Sequence, residues 1–591
     1  MRTISGAIAG FALTITVYGQ AFVHQKLGEG FTQVGTGILT ESGLPFWSAV
    51  VSGSNLDIFR ITGNTNFTAA ILGSNRIASP VAYHPTAGLL WEGQGSALGS
   101  GNADVFVETT NISASVLGSG RTAFGFGFTG AGQPVWYGTG SANSNNLDIF
   151  RGGTNITASV LGNGARDAVP MALVGDRLLW DGAGPNTGVN RDVFRTDLGT
   201  LATTNRSQSP LGSNRFAVAA ALNANGEEVW YGSGSATGDY NDVFFKDTNV
   251  SLPVIGGGNI NNPRDAVAFR VSGNRLIWQG RSAVTNQYYD TFTTESSNTL
   301  NLSQSVLGVE RDSIPISVAG SAVLWNGSGA NVGNLDVFVT LVSANTTRNL
   351  SQQRFGGGTT TNVREGDGIG VFASGNAFWL GKHSSTNEKV HLFHYNWNSN
   401  SSTNLVQEAV NRDANATYLA HNSAEQVLWA IPTSGGSFEV YLSTPNITTT
   451  LQGTVTIAGF AGNTNQIALT IRQIDPYTGA VAATHTGNMN SGFTYAIAVT
   501  PGLYNGLRIT APRCLARNIP GLRRLLGATT VDFSLTLGDV NGDNIIDDGD
   551  LLEVLFNFGN STTAPADLNG DGIVDDADLL IVLFNFGAQG D

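Results

Sequence analysis

One cysteine, Cys514, stands among 591 residues, so no disulfide can form within the chain, and outside the cell its stability would have to come from packed cores and metal. Charge is scarce too: Asp, Glu, Lys and Arg make up 13% of the residues, with 30 basic against 44 acidic side chains. That balance leaves no basic field for nucleic acid. Beyond residues 4 to 17 no apolar run approaches the length needed to cross a bilayer, so the chain is expected not to be transmembrane. Catalytic signatures are missing as well. There is no Gly-x-Ser-x-Gly elbow and no unrepeated acidic pair, and the seven histidines show one concentration, His383, His391, His394 and His421, in which His391 merely replaces a repeated Asp.

What the chain has is 76 glycines with abundant Asn, Ser and Thr, the composition of short strands joined by turns. It opens with Met1-Arg2, an apolar stretch from Ile4 to Val17, then Gly19-Gln-Ala21. This fits a secretory signal peptide over residues 1–21, cut after Ala21, and an extracellular or cell-surface protein; a buried first strand is the plainer alternative.

Nine of ten tryptophans recur at intervals of 44 to 54 residues: Trp47, Trp91, Trp136, Trp180, Trp230, Trp278, Trp325, Trp379 and Trp429. Each closes a short apolar strand such as Arg177-Leu-Leu-Trp180. Ten to thirteen residues on, a strand opens with Asp, as in Asp104-Val-Phe106 and Asp148-Ile-Phe150, decaying to His391-Leu-Phe393 and Glu439-Val-Tyr441 in the last two units. A third strand is expected over Asn111-Ile-Ser113-Ala-Ser115-Val-Leu117, and an Arg then begins a fourth: Arg76, Arg121, Arg166, Arg215, Arg264, Arg311, Arg364 and Arg412. The pattern resembles TolB or PD40 propeller repeats and implies a β-propeller of eight to nine four-stranded blades over residues 22–450, a count of eight making the first or last unit a partial blade. The repeated Trp is expected to fill the interface between blades, and the repeated Asp either to accept hydrogen bonds in the tight turn before its strand or to pair with the repeated Arg, ahead of any ligand role. Repeat geometry likewise accounts for the Asn-x-Ser/Thr triplets at Asn66, Asn111, Asn155, Asn249, Asn301, Asn349 and Asn446 before glycosylation does.

From Leu451 the pattern changes to strict alternation, Gln466-Ile-Ala-Leu-Thr-Ile-Arg472 and Tyr495-Ala-Ile-Ala-Val499, which predicts a β-sandwich over residues 451–537. Thr500-Pro-Gly-Leu-Tyr504 resembles the turn of carboxypeptidase-regulatory-like sandwiches. Arg513, Arg517, Arg523 and Arg524 form the one basic cluster and are expected to hold the acidic segment that follows.

That segment, 538–591, carries twelve acidic residues and no Lys or Arg, or −12 of the net −14. It repeats one twelve-residue loop at a spacing of 28: Asp539, Asn541, Asp543, Ile545, Asp547 and Asp550, then Asp567, Asn569, Asp571, Ile573, Asp575 and Asp578. Five side-chain oxygens and the carbonyl of position 7 suit a hard cation, so two Ca²⁺ ions are expected, with a helix after each loop. The pair resembles a type I dockerin, which implies a small α-helical calcium module that docks onto a cohesin-like or cell-surface protein. Asp548-Gly549, Asp576-Ala577 and base-free helices depart from the cellulosomal pattern and leave a calcium-stapled cap as the alternative to docking. The whole reads as a mainly β, secreted, modular, non-catalytic protein whose propeller binds an extracellular glycan or protein. The alternative is an extracellular propeller hydrolase or lyase acting on polysaccharide or peptide, anchored through the dockerin.

Overall fold

A computed structural model describes residues 21–591 apart from 62–65, 100, 239, 257–263, 286, 309–311, 329–334, 357–363 and 562–564. The expected signal segment lies outside the described residues but for Ala21, and so does Arg311.

The chain is mainly β. The unit built on Trp180 shows how the repeat folds. Small and apolar residues make an inner strand, Asp167–Val174, which pairs antiparallel with Arg177–Ala183, then Asp192–Asp197, then the short Thr203–Asn205. A one-residue bulge between Pro170 and Ala172 recurs at the same place in other inner strands, at Pro80/Ala82, Ala219/Ala221 and Pro315/Ser317. A bulge loosens the ladder locally and gives proline a place in a strand.

Sheets of this design follow one another in chain order. Two units share one sheet through a single parallel pair, Ala103 with Thr122, and the first unit shows three strands, Gln33–Leu39, Pro45–Val50 and Asp57–Arg60, among the described residues. In the last unit Thr417–His421, Val427–Pro432 and Phe438–Pro445 receive their fourth strand from the other end of the repeat region. Phe22–Phe31 pairs antiparallel with Phe438–Pro445, from Phe22 opposite Pro445 to Phe31 opposite Phe438. Leu27, Phe31 and Trp47 then share one core with Leu428, Val440 and Leu442, so the last unit packs on the first and the ring closes.

The segment expected as a third strand corrects to something shorter. Thr110–Asn111 ends the sheet, and Ala114–Leu117 is one turn of α-helix. The Asn111 side-chain oxygen accepts the N–H groups of Ser113 and Ala114 at 3.2 and 3.0 Å, and Gly118 at φ 76° ends the turn. Capping by Asn satisfies amides that a strand would have left for a ladder, and the local bond wins over β propensity.

Beyond the ring, Thr449–Ile457 pairs with Thr494–Val499, Ala528–Thr530 and Phe533–Leu535. A second sheet of Val481–Asn488, Ala468–Ile474, Gly502–Thr510 and Arg517–Leu525 packs on it around Leu469, Ile471, Tyr495, Leu507 and Ile509. Gln25 of the ring-closing strand accepts the Leu503 N–H and donates to the Leu503 carbonyl, both at 2.8 Å, and Leu503 lies in the ring-closure core. The chain finishes with two nine-residue helices, Asp548–Phe556 and Asp576–Phe584, around Ile546, Val554, Leu568, Val574 and Val582.

Candidate functional site

The two C-terminal loops are built alike. Asp539 accepts the Gly542 and Asn544 N–H groups at 2.8 and 3.1 Å, and Asp567 accepts those of Gly570 and Gly572 at 2.9 and 3.1 Å. Asn541 accepts the Asp543 N–H and donates to its carboxylate, and Asn569 does the same with Asp571. Position 6 must turn sharply through the left-handed region, and it is filled by Asn544 at φ 72° and Gly572 at φ 97°, the two residue types that tolerate it best. Each loop feeds a helix capped by Asp547 or Asp575, whose own N–H is accepted by Asp550 or Asp578 at 3.0 Å.

Burial makes these carboxylates costly. Asp550 and Asp578 are wholly buried, Asp539 and Asp567 nearly so, and no Lys or Arg pairs with any of the four among the described residues. Asp539 shows the consequence: burial, together with Asp550 and Asp543, outweighs its backbone bonds and pushes its carboxyl above the usual range. Ile545 and Ile573 stand at position 7, with their N–H groups held by Asp543 and Asp571. Among the described residues no three His, Cys, Asp or Glu side chains are already gathered to hold a metal ion. The donor chemistry of the loops, carboxylate, amide and carbonyl oxygen around buried negative charge, nonetheless fits a hard divalent cation.

Two of the four arginines reach this module. Arg513 donates to the Asp567 carbonyl and Arg517 lies 4.0 Å from Asp591, while Arg523 donates to the Pro520 carbonyl and Arg524 lies against Gly43 of the ring. Backbone adds to the brace, with Ala461 and Gly462 both donating to the Asn569 carbonyl. Asn544 accepts the Ala516 N–H at 2.7 Å, so each loop is tied to the sandwich.

On the helices after the loops and just past their ends, apolar side chains point outward in matched pairs 28 residues apart. Leu552 and Leu580 are 50% and 47% exposed, Leu555 and Leu583 48% and 49%, Phe556 and Phe584 80% and 82%, Phe558 and Phe586 47% and 48%. Sequence reasoning missed this face. The signal was there in the twice-written Val-Leu-Phe-Asn-Phe-Gly, whose two phenylalanines the small core has no room to bury.

In the ring the repeated polar residues are spent on one another. Arg166 holds the buried Asp148 through two parallel bonds of 2.9 Å, the fork geometry of a strong pair. Asp57 with Arg76, Asp104 with Arg121, Asp192 with Arg215, Asp242 with Arg264 and Asp336 with Arg364 repeat it. A third member is a buried Ser or Thr. Thr157 donates to Asp148 at 2.8 Å and accepts the Ile149 N–H, and Ser113, Ser207, Ser251, Ser303 and Ser351 serve Asp104, Asp192, Asp242, Asp290 and Asp336 alike. These are the hydroxyls of the Asn-x-Ser/Thr triplets, and the Asn caps the following helical turn. In the decayed units Asn404 bonds His391, and Glu439 takes Arg412 together with Lys26 of the closing strand.

All nine repeated tryptophans are fully buried. Most stack on the Phe of the Asp strand, as Trp180 does on Phe194 at 4.3 Å and Trp230 on Phe244 at 4.1 Å. Val229 and Val243 of one unit pack with Trp278 of the next, the interface role expected of them. The four histidines do not converge: His383 bonds Ser385, His394 Glu425 and His421 Tyr418.

No family model matches the chain, and no curated protein sequence matches it. Among solved structures, a type II cohesin–X-dockerin complex from Acetivibrio cellulolyticus is similar over 24% of this chain and 97% of that one, at 24% identity and a TM-score of 0.20. The propeller domain of the trilobed protease from Pyrococcus furiosus is similar over 70% and 94%, at 7% identity and 0.28. Oligopeptidase B from Leishmania major is similar over 63% and 54%, at 10% identity and 0.35. At such scores the fold rests on the chain's own sheets and cores.

Proposed function

We propose that the chain is a secreted modular binding protein, in which nine Trp-centred blades form the propeller and a calcium-held C-terminal module docks it to a partner. The observation that carries this reading is the twin apolar face. Eight large side chains, each matched in exposure by its partner 28 residues away, lie on a module with scarcely enough core to fold, where a cap would need none of them. The partner is a cohesin-like or cell-surface protein that buries the Phe556 and Phe584 faces, and the propeller is free to bind extracellular glycan or protein.

Two Ca²⁺ ions would supply the charge that the buried carboxylates lack. Asp539, Asn541, Asp543, Asp547 and Asp550 with the Ile545 carbonyl would hold one. Asp567, Asn569, Asp571, Asp575 and Asp578 with the Ile573 carbonyl would hold the other.

Calorimetric titration of the chelator-stripped chain with Ca²⁺ tests the metal: two sites are expected, and Asp550→Asn should remove one. Absence of heat at millimolar Ca²⁺ overturns the calcium reading. Product released from polysaccharide or peptide by the purified chain, and lost on mutating one unrepeated residue, would replace the binder with the enzyme alternative.

A further inference from the structure

One turn of the repeat departs from its counterparts. The turn between the first two strands of the last unit, Asn422 to Glu425, closes as its counterparts do, with the N–H of its fourth residue donating back to the carbonyl of its first. In the equivalent turns that fourth residue is Gly226 at φ 72° and Gly375 at φ 86°, as left-handed backbone requires. Here it is Glu425, at φ 58°. A glutamate held in that region is backbone strain kept where the surroundings enforce it, and such strain clusters at ligand sites.

The enforcing contacts reach into the neighbouring unit. His394, 6% exposed, donates to Glu425 at 2.8 Å, and the Asn376 amide donates to both carboxylate oxygens at 3.1 and 3.0 Å. Burial would raise the Glu425 carboxyl, but the His394 ring, then Asn376 and Ser374, outweigh it and hold it below the usual range.

This clamp forms one wall of a cavity of about 620 Å³ between the last two units, the start of the closing strand and the sandwich. The volume falls within the range of small-molecule sites, roughly 300–1,000 Å³. Among the described residues no Lys or Arg lines it, so an anion finds no counter-charge there, and its one carboxylate is already engaged by hydrogen bonds from His394 and Asn376. What lines it instead is amide and hydroxyl: Asn396, Ser399, Ser401, Thr403 and Asn446. The Thr403 hydroxyl and the Asn396 amide nitrogen make no hydrogen bond to another described residue, whereas Ser399 and Ser401 bond each other at 2.8 Å. Pro445, Ile447 and Leu526 add an apolar lining, with Ile447 49% exposed. A sugar offers that mixture, hydroxyl edges around C–H faces, and a charged or wholly apolar ligand does not.

We propose that this cavity binds a neutral, hydroxyl-rich ligand the size of a mono- or disaccharide, with Asn396 and Thr403 touching it and Glu425 positioning the wall. The proposal rests on the binder reading of the propeller and names its ligand class.

Saturation-transfer NMR on the full chain, with glucose, xylose, cellobiose and xylobiose at millimolar concentration, tests it. Transfer to at least one sugar is expected, and Thr403→Val and Asn396→Ala should each weaken binding about fivefold, Thr403→Val without moving the melting temperature and Asn396→Ala at the cost of one exposed turn bond, from the Ser399 N–H. Glu425→Gly relieves the backbone strain, so it should weaken binding while leaving the melting temperature equal to or above the parent's. No transfer from any of the four sugars overturns the proposal, as does undiminished affinity in the Thr403/Asn396 double variant, or preference for an uncharged peptide such as N-acetyl-triglycine amide. Calcium titration of the same variants reads the C-terminal module separately, so failure of the sugar site leaves that result standing.

Discussion

Arg166→Met is the sharpest test of how the ring is held. The change keeps an unbranched apolar stem but removes both bonds to Asp148, which is wholly buried and keeps only neutral donors, Thr157 at 2.8 Å, Asn143 at 3.2 Å and Asn155. Breaking a buried pair from one side costs about 3–5 kcal/mol, because the remaining charge has neither water nor partner. The cost should also depend on pH. In the parent, burial raises the Asp148 carboxyl but Arg166, Thr157 and Asn155 together hold it below its ordinary value of 3.8, so its contribution is complete above that value and fades as pH falls through the lower folded one. Without Arg166 burial wins, the folded-state pKa rises above the unfolded one, and the carboxyl can protonate in mild acid. The gap between variant and parent should therefore be widest at pH 7 and narrow towards pH 4.5. Urea unfolding followed by tryptophan fluorescence at both pH values measures it. A loss below about 1 kcal/mol at pH 7, or a gap that does not change with pH, would refute the reasoning. Asp148→Asn/Arg166→Met should cost less than the two single changes added together, since neither partner is then left charged and alone.

Trp180→Ala removes a fully buried ring stacked on Phe194 and should cost about 3–5 kcal/mol; calorimetric melting checks it, and Trp180→Phe should recover part of the loss. Gln25→Ala strands the Leu503 N–H and carbonyl in a buried contact, at about 1–3 kcal/mol for each group, and limited proteolysis should cut between ring and sandwich sooner than in the parent. Asp543→Ala should weaken Ca²⁺ binding by about tenfold or more while Asp548→Ala, outside the ligand positions, leaves it within about twofold; equal losses would sink the ligand assignment.

How far the sequence could be read depended on sequence distance. Trp at 44 to 54 residues, the Asp strand and the returning Arg were visible because a repeat writes each contact many times over. That register offered the partnership of Asp104 with Arg121 as one of two readings, beside a bond within the turn, and the structure shows the pair. The Ser113 hydroxyl did not, because a serine two residues after an asparagine reads as a strand or a glycosylation triplet until the helical turn is seen. Closure by Phe22–Phe31 was hidden for the opposite reason: it is written once, and its partner Phe438–Pro445 lies more than four hundred residues away. Glu425 was invisible because only the backbone shows that it stands where glycine stands elsewhere.

That single closing strand sets the order in which the molecule can be made. It is the first part of the ring to leave the ribosome, and its partner strand is the last. Blades between them can assemble pairwise as they emerge, since each rests chiefly on its neighbours. The final pairing must then close a loop spanning the entire ring, the slowest kind of contact a chain makes. Until it does, Phe438–Pro445 has an unpaired edge, open to the strand of another copy. A fusion placed ahead of Phe22 burdens that last step, whereas one placed after Asp591 does not, and a circular permutant cut between two middle blades would leave only the sandwich and the C-terminal module, in place of the whole ring, between the two pairing strands.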